Sequence, residues 1–449
     1  MTSTVLNGPS VFGRAQQLPG IAAGAGALLL VAAAALMLSQ SPAASLDMAL
    51  GGGLALLGVL GLALVSYDAA VVLGLLLLGV VRTEPAPADA VLGVAMAVGV
   101  ATGRFRLAAV PRSVRHLLGV LVALNLLSAI EAVDLGAAAR YLAITLYLVL
   151  LGVWLAGYVD GRRRTQLAVG AYLIAAVSSA LMGVLALFVS FPGSTALSAD
   201  GYRAQALFED PNVFGPFLVP AAVILLEERL RPSLFARRPA LNSVCLLVLS
   251  AGILFSYSRA AWLNLAVAVA VLILLGARGR GGARRTVRVA ATGILTAAVA
   301  VVLVQATGSA EFLGERAHFQ TYDVERFSAQ QTGVDLALAH PLGIGPGQFD
   351  VLVPVSSHSL YVLVMAEQGF LGLAVLLALV VGTLALAARN ALRGLDLHGL
   401  GSLSLLAAWC GALVNSLVVD TLHWRHLWLL AALIWATTMV HSPARQGGR

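Results

Sequence analysis

Long apolar blocks recur along the whole chain, separated by short polar connections. Ile21–Met37, Leu54–Val65, Val114–Ile130, Tyr141–Val159, Gln166–Val189, Leu241–Phe255, Trp262–Leu275, Val289–Val304, Phe370–Ala388, Ser402–Val419 and Leu427–Val440 hold almost no charge. Such blocks approach the roughly 20 residues that a membrane-spanning helix needs. Shorter blocks, Val71–Val81 and Ala90–Ala101, read as spans with Pro85–Pro87 turning between them. Asp47–Val65 precedes them, and Val213–Leu226 forms another short span after Pro211. The alternation of a transmembrane barrel strand is absent. The pattern predicts an all-α, polytopic transmembrane helix bundle of about 12–14 spans, the lower number applying if short segments re-enter.

Composition agrees with the pattern. Hydrophobic residues make up 59% of the 449 positions and charged residues 11%, against about 25% charged in a soluble domain. The two cysteines, Cys245 and Cys410, fall mid-span and read as small packing residues. Ile21–Leu38 followed by Ser41–Ser45 has the form of a signal peptide, but the closely following spans favour an uncleaved first helix.

Charge adds an orientation. The chain has no lysine, so all 28 basic residues are arginine. With the N-terminus inside, 21 fall on the inner side and 7 on the outer side: Arg82, Arg140, Arg203, Arg259, Arg316, Arg326 and Arg425. This is the positive-inside bias, with both termini expected in the cytoplasm. The net charge of +7 therefore reflects topology, and no basic–aromatic stripe suggests a nucleic-acid partner.

The connections are mostly short, so residues 1–449 read as a single membrane domain. Two outer loops are longer, 191–212 and 305–357. The second carries many apolar residues, and Glu325–Ala339 within it predicts a helix stopped by Pro341 and the glycines at 343, 345 and 347. The expectation is a partly helical cap over the outer mouth of the bundle.

Ionisable groups near a membrane are candidate functional residues. Arg259, in Ser256-Tyr257-Ser258-Arg259, stands on the outer side against the prevailing bias and suits an anion. Arg203 belongs to the first long outer loop, and Asp210 is placed to start a helix at Pro211. His358 follows the second loop, and its near-neutral pKa suits a general base. Glu367 lies nine residues on, which at 100° per residue points it to the opposite helix face, so the two form no simple dyad. His423, Arg425 and His426 cluster with Asp420 and Trp424 in a short outer loop and read as interfacial anchors. No third ligand stands beside the two histidines, so neither a metal nor another cofactor is expected. No Walker loop, nucleotide fingerprint, HExxH or nucleophile elbow is present.

Several of these segments together resemble the O-antigen ligase and O-antigen polymerase superfamily of bacterial membrane glycosyltransferases. They are Arg203 with Phe208-Glu209-Asp210-Pro211-Asn212-Val213-Phe214, Ser258-Arg259-Ala260-Ala261, Glu325-Arg326 and His340-Pro341-Leu342-Gly343-Ile344-Gly345-Pro346-Gly347-Gln348-Phe349. His358-Ser359-Leu360-Tyr361, running into Glu367-Gln368-Gly369-Phe370-Leu371-Gly372, completes the set. The resemblance covers roughly residues 200–390. The family's histidine is commonly followed by asparagine, and Ser359 stands in that place.

The resemblance implies transfer of a saccharide from a polyprenyl-diphosphate carrier to a hydroxyl of a glycan, lipid or protein acceptor. The site would face outward from the bacterial inner membrane, and the chemistry would be inverting and metal-independent. His358 would be the base, Arg203 and Arg259 would bind diphosphate, and Arg326 would support the phosphate site. Asn212, Tyr361 and Glu367 would complete the substrate-binding set. The alternative is a transporter or flippase of a lipid-linked glycan, which predicts a midplane site accessible from both sides.

Overall fold

The computed structural model describes residues 46–277 and 321–442, with residues 283–284, 287–288, 291–293, 302, 305 and 314 between them. The expected first span at Ile21–Met37, most of the span Val289–Val304, the start of the second long loop and both termini lie outside the described residues.

The fold is a helix bundle. In chain order the helices are α1 (Leu46–Val65), α2 (Tyr67–Leu76), α3 (Pro87–Ala101), α4 (Arg112–Ser128), α5 (Leu135–Tyr158), α6 (Arg162–Phe188) and α7 (Pro211–Leu230). They continue with α8 (Pro239–Phe255), α9 (Arg259–Gly276), α10 (Thr321–Ala339), the single turn α11 (Phe349–Leu352), α12 (Leu360–Leu392), α13 (Ser402–Asn415) and α14 (Arg425–Val440). Two small hairpins, β1 (Ser198–Ala199) with β2 (Arg203–Ala204) and β3 (Asp396–Leu397) with β4 (Leu400–Gly401), are the only sheets among the described residues. Five helices, α4 with its 3₁₀ extension, α5, α6, α9 and α12, are long and apolar enough to cross a membrane; six more apolar helices are 10–17 residues long.

Helices α7 and α14 form the centre, since most of their residues are buried. Helix α7 contains Pro216 and Pro220. Each lacks an N–H, which deprives the carbonyls of Asn212 and Pro216 of their helical donors. Next to Pro216, the Tyr172 hydroxyl donates to the carbonyl of Phe217 at 2.6 Å, a side-chain bond that ties α6 to this stretch of α7.

The two ends of the bundle differ in charge. One end gathers Arg106, Asp160 and the Arg162–Arg164 run at the start of α6. Arg106 and Arg164 pair with Asp160, and Arg163 and Arg164 with Asp68. Arg162 donates to the carbonyls of Ser233, Leu234 and His398, tying three connections together. Helices α7, α9, α12 and α14 start at the other end, which is rich in carboxylates and histidines.

The glycine-rich stretch after α10 is docked at that second end. Helix α12 kinks at Gly369, which has φ +69. Beside the kink, the carbonyls of Ala366 and Glu367 accept from Ile344 N at 2.9 Å and Gly345 N at 3.0 Å. Gly343 has φ +87, and a Cβ there would overlap the Glu367 carbonyl. Gly343→Ala is thus expected to destabilise by roughly 1–3 kcal/mol through strain and displacement of the loop. Limited proteolysis between α10 and α12 should accelerate; wild-type protection would contradict the account.

Candidate functional site

Three short segments build the site wall. In the first, Asp210 caps α7 by accepting from Asn212 N at 2.6 Å, which fixes Asn212 at the helix start. In the second, Ser256-Tyr257-Ser258 joins α8 to α9; Tyr257 takes φ +49, and Ser258 caps α9 by accepting from Ala261 N. In the third, His358 takes φ +47 just before α12. Gln330 of α10 donates to the carbonyl of Ser357 and holds this turn from outside. Non-glycine residues in the left-handed region cluster where surrounding packing imposes a functional geometry.

These segments border two cavities that meet. The larger, about 570 Å³, is lined by His358, Arg326, Asn212, Asp210, Glu209 and Asp350 on one side. Glu84 and the segment Val419–His426 complete its polar lining. The smaller, about 240 Å³, is lined by Arg259, Tyr257, Asp323, Arg326, Phe327 and Asn212, among others. Asn212, Arg326 and Val419 line both. The polar cavity thus lies at one end of the bundle, an arrangement that suits chemistry at one face better than passage through the midplane.

The expected site residues separate into three groups. His358, Asn212, Arg326 and Arg259 are brought together around the cavities. Arg203 lines neither; it is buried behind the wall, donating to the carbonyl of Ser256 at 3.0 Å and to Asn212 Oδ1 at 3.3 Å. Its guanidinium ties the first wall segment to the second. Tyr361 and Glu367 also lie away from the cavity lining. The Tyr361 hydroxyl donates to the carbonyl of Leu413 at 3.1 Å. Glu367 is 1% exposed and accepts from Phe349 N at 3.2 Å, bracing the glycine-rich stretch. Gln348, fully buried, completes that brace: its Oε1 accepts from Val133 N and Asp134 N, and its Nε2 donates to the Asp134 carbonyl.

Arg259 forms an ion pair with Asp323 of α10, so that helix and the α8–α9 connection are joined at the smaller cavity. Burial pushes the His358 imidazole below its ordinary pKa, and the guanidinium of Arg326 adds to this, while Asp210 and Asp350 oppose it. The imidazole is therefore neutral near pH 7 and available to accept a proton.

The cluster expected as interfacial anchors has a different place. His423, Trp424, Arg425 and His426 face the larger cavity, and Arg425 is 8% exposed. Asp89 of α3 holds Arg425 through both carboxylate oxygens, and Glu84 lies 3.9 Å from the same guanidinium. His423 shares a hydrogen bond with Thr145 at 2.9 Å; burial, with Arg425 adding, pushes its pKa down to about 4. Burial likewise raises Asp420 to about 6. Glu209 is raised as well, by burial and then by Glu84 and Asp210. These groups carry no motif of their own. The expected outer-side position of their loop was the one signal in the sequence.

Among the described residues no group of three or more histidine, cysteine, aspartate or glutamate side chains is arranged to hold a metal ion. A search of curated proteins returns no match to the chain. Residues 244–377 match the family model of the O-antigen ligases, a segment that runs from α8 through Arg259, Arg326 and the glycine-rich stretch to His358 and α12. Over that segment the chain is similar to the O-antigen ligases, and the match supports a membrane enzyme of ligase or polymerase type.

Proposed function

We propose that this protein transfers a saccharide from a polyprenyl-diphosphate carrier to an acceptor hydroxyl at the outer face of a bacterial inner membrane. The observation that carries the reading is the position of His358. Its neutral imidazole borders a cavity that meets, across Arg326 and Asn212, a second cavity holding Arg259. The positive-inside rule, applied to the arginine-rich end, supports an outward orientation for both cavities.

The chemistry follows from these groups. His358 takes the proton of the acceptor hydroxyl as its oxygen attacks the anomeric carbon. The bond from that carbon to the diphosphate oxygen breaks, and the diphosphate leaves with the electron pair. Attack opposite the leaving group inverts the anomeric centre. Arg259 and Arg326 stabilise the negative charge that gathers on the diphosphate, in a site partly shielded from water. Asp323 orients Arg259, and Arg203 acts indirectly by holding Asn212 and the Ser256 turn. The apolar neighbours of Arg259 in the smaller cavity, Leu263, Phe327 and Val418, face the carrier's isoprenoid end.

The test is glycan analysis in a strain lacking the protein, complemented by wild type or Arg259→Ala. Lipid-linked single repeats accumulating without it identify a polymerase; lipid-linked polymer identifies a ligase. Arg259→Ala is expected to lower the transfer rate about a hundredfold, corresponding to roughly 3 kcal/mol. A wild-type rate in that variant would remove Arg259 from the site.

A further inference from the structure

The larger cavity has a lopsided charge. Glu84, Glu209, Asp210, Asp350 and Asp420 line it. Its two arginines are Arg326 and Arg425, and Arg425 is already held by Asp89 from behind the wall. Among the described residues the lining is therefore net anionic. An anionic group placed there meets like charge; Glu84, Glu209 and Asp350 are exposed, so this repulsion is open to screening by water and salt. Ionised carboxylates only accept hydrogen bonds, so the wall receives donors such as sugar hydroxyls and ammonium groups.

A second feature is independent of charge. Phe208, Phe217, Trp424 and His426 line the same cavity. Phe208 and Phe217 have ring centroids 5.0 Å apart, Phe217 and His426 5.4 Å, and Trp424 and His426 5.2 Å. Phe208 and Phe217 are each 1% exposed and back the lining, so the partly exposed Trp424 and His426 supply its aromatic surface. Such a surface beside hydrogen-bond acceptors matches a pyranose, which has an apolar C–H face and a rim of hydroxyl donors. Chemistry suited to an anion lies next door, where Arg259 lines the smaller cavity.

We propose that the larger cavity is a sugar subsite that accepts uncharged or amine-bearing glycans and rejects those bearing uronate or phosphate. The proposal rests on the transferase reading for assigning the diphosphate to the arginine side. Its test reads binding rather than turnover, so failure here leaves that reading to its own experiment.

Three fluorescent disaccharides on one hexose skeleton, differing at carbon 6 as hydroxymethyl, aminomethyl or carboxylate, would be titrated against the full chain in lipid nanodiscs. The amine is expected to bind at least about tenfold tighter than the carboxylate, with the neutral sugar between them. The gap should narrow in 1 M salt, where the Debye length falls to about 3 Å. It should also narrow in Glu84→Gln/Asp350→Asn, or in Glu84→Gln alone if the double variant does not fold. Equal binding of all three, tighter binding of the carboxylate, or a gap unmoved by both salt and substitution would overturn the charge selection. Binding of none would overturn the sugar subsite.

Discussion

His358→Ala is expected to abolish most transfer while leaving the fold intact. His358 is half-buried at a turn before α12 and lies outside the helices themselves. Removing it should leave the melting temperature nearly unchanged. The rate should fall by about 10²–10⁴-fold, the usual contribution of a positioned general base. The pH profile gives a sharper test. The imidazole is lowered below its ordinary value of 6.5, by burial first and by Arg326 second. A base works in its neutral form, so kcat/KM should hold level at pH 7 and fall as the pH drops through that lowered pKa. Arg326→Gln removes the second cause, so the acidic limb should move upward in pH. A His358→Ala protein with an unchanged rate, or with the same acidic limb as wild type, would exclude the imidazole as the base.

The largest expected effect on stability comes from Arg425→Ala. Arg425 lies at the start of the central helix α14 and pairs with Asp89, whose carboxylate also accepts from Ala86 N at the start of α3. The paired side chains are only 9% and 13% exposed. Losing one partner of such a pair leaves an uncompensated charge, which typically costs about 3–5 kcal/mol. Thermal unfolding in detergent should therefore show a large fall in the apparent melting temperature. The double variant Asp89→Asn/Arg425→Gln removes both charges and should recover much of the loss, because the desolvation cost goes with them. If each single substitution were as mild as the double, the pair would not be a structural lock.

The site's legibility in the sequence was uneven for a physical reason. Arg259, Arg326 and His358 stood out because outer-side arginines oppose the charge bias and because the histidine follows a long, glycine-punctuated loop. Asp210 and Asn212 were readable as a helix start, since capping is local chemistry. Arg203, Tyr361 and Glu367 looked like equals of these residues. Their hydrogen bonds show that they hold the walls, and no local pattern separates a wall brace from a wall face. His423, Arg425 and His426 were misjudged as anchors because a short outer loop in isolation gives no sign of what it faces. Only the central packing of α14 turns that loop into the cavity.

The sequence by itself determined the class of the molecule: an apolar helical bundle, its charge asymmetry and the helix over residues 325–339. Hydropathy, capping and glycine punctuation act within windows of about 20 residues or fewer, so they survive in a linear reading. The tertiary structure alone decided which of the charged groups expected on the outer side share a cavity. Residues from Glu84 to His426 meet there through helix–helix packing, and lipid is as apolar as the side chains it replaces, so hydropathy cannot encode those pairings.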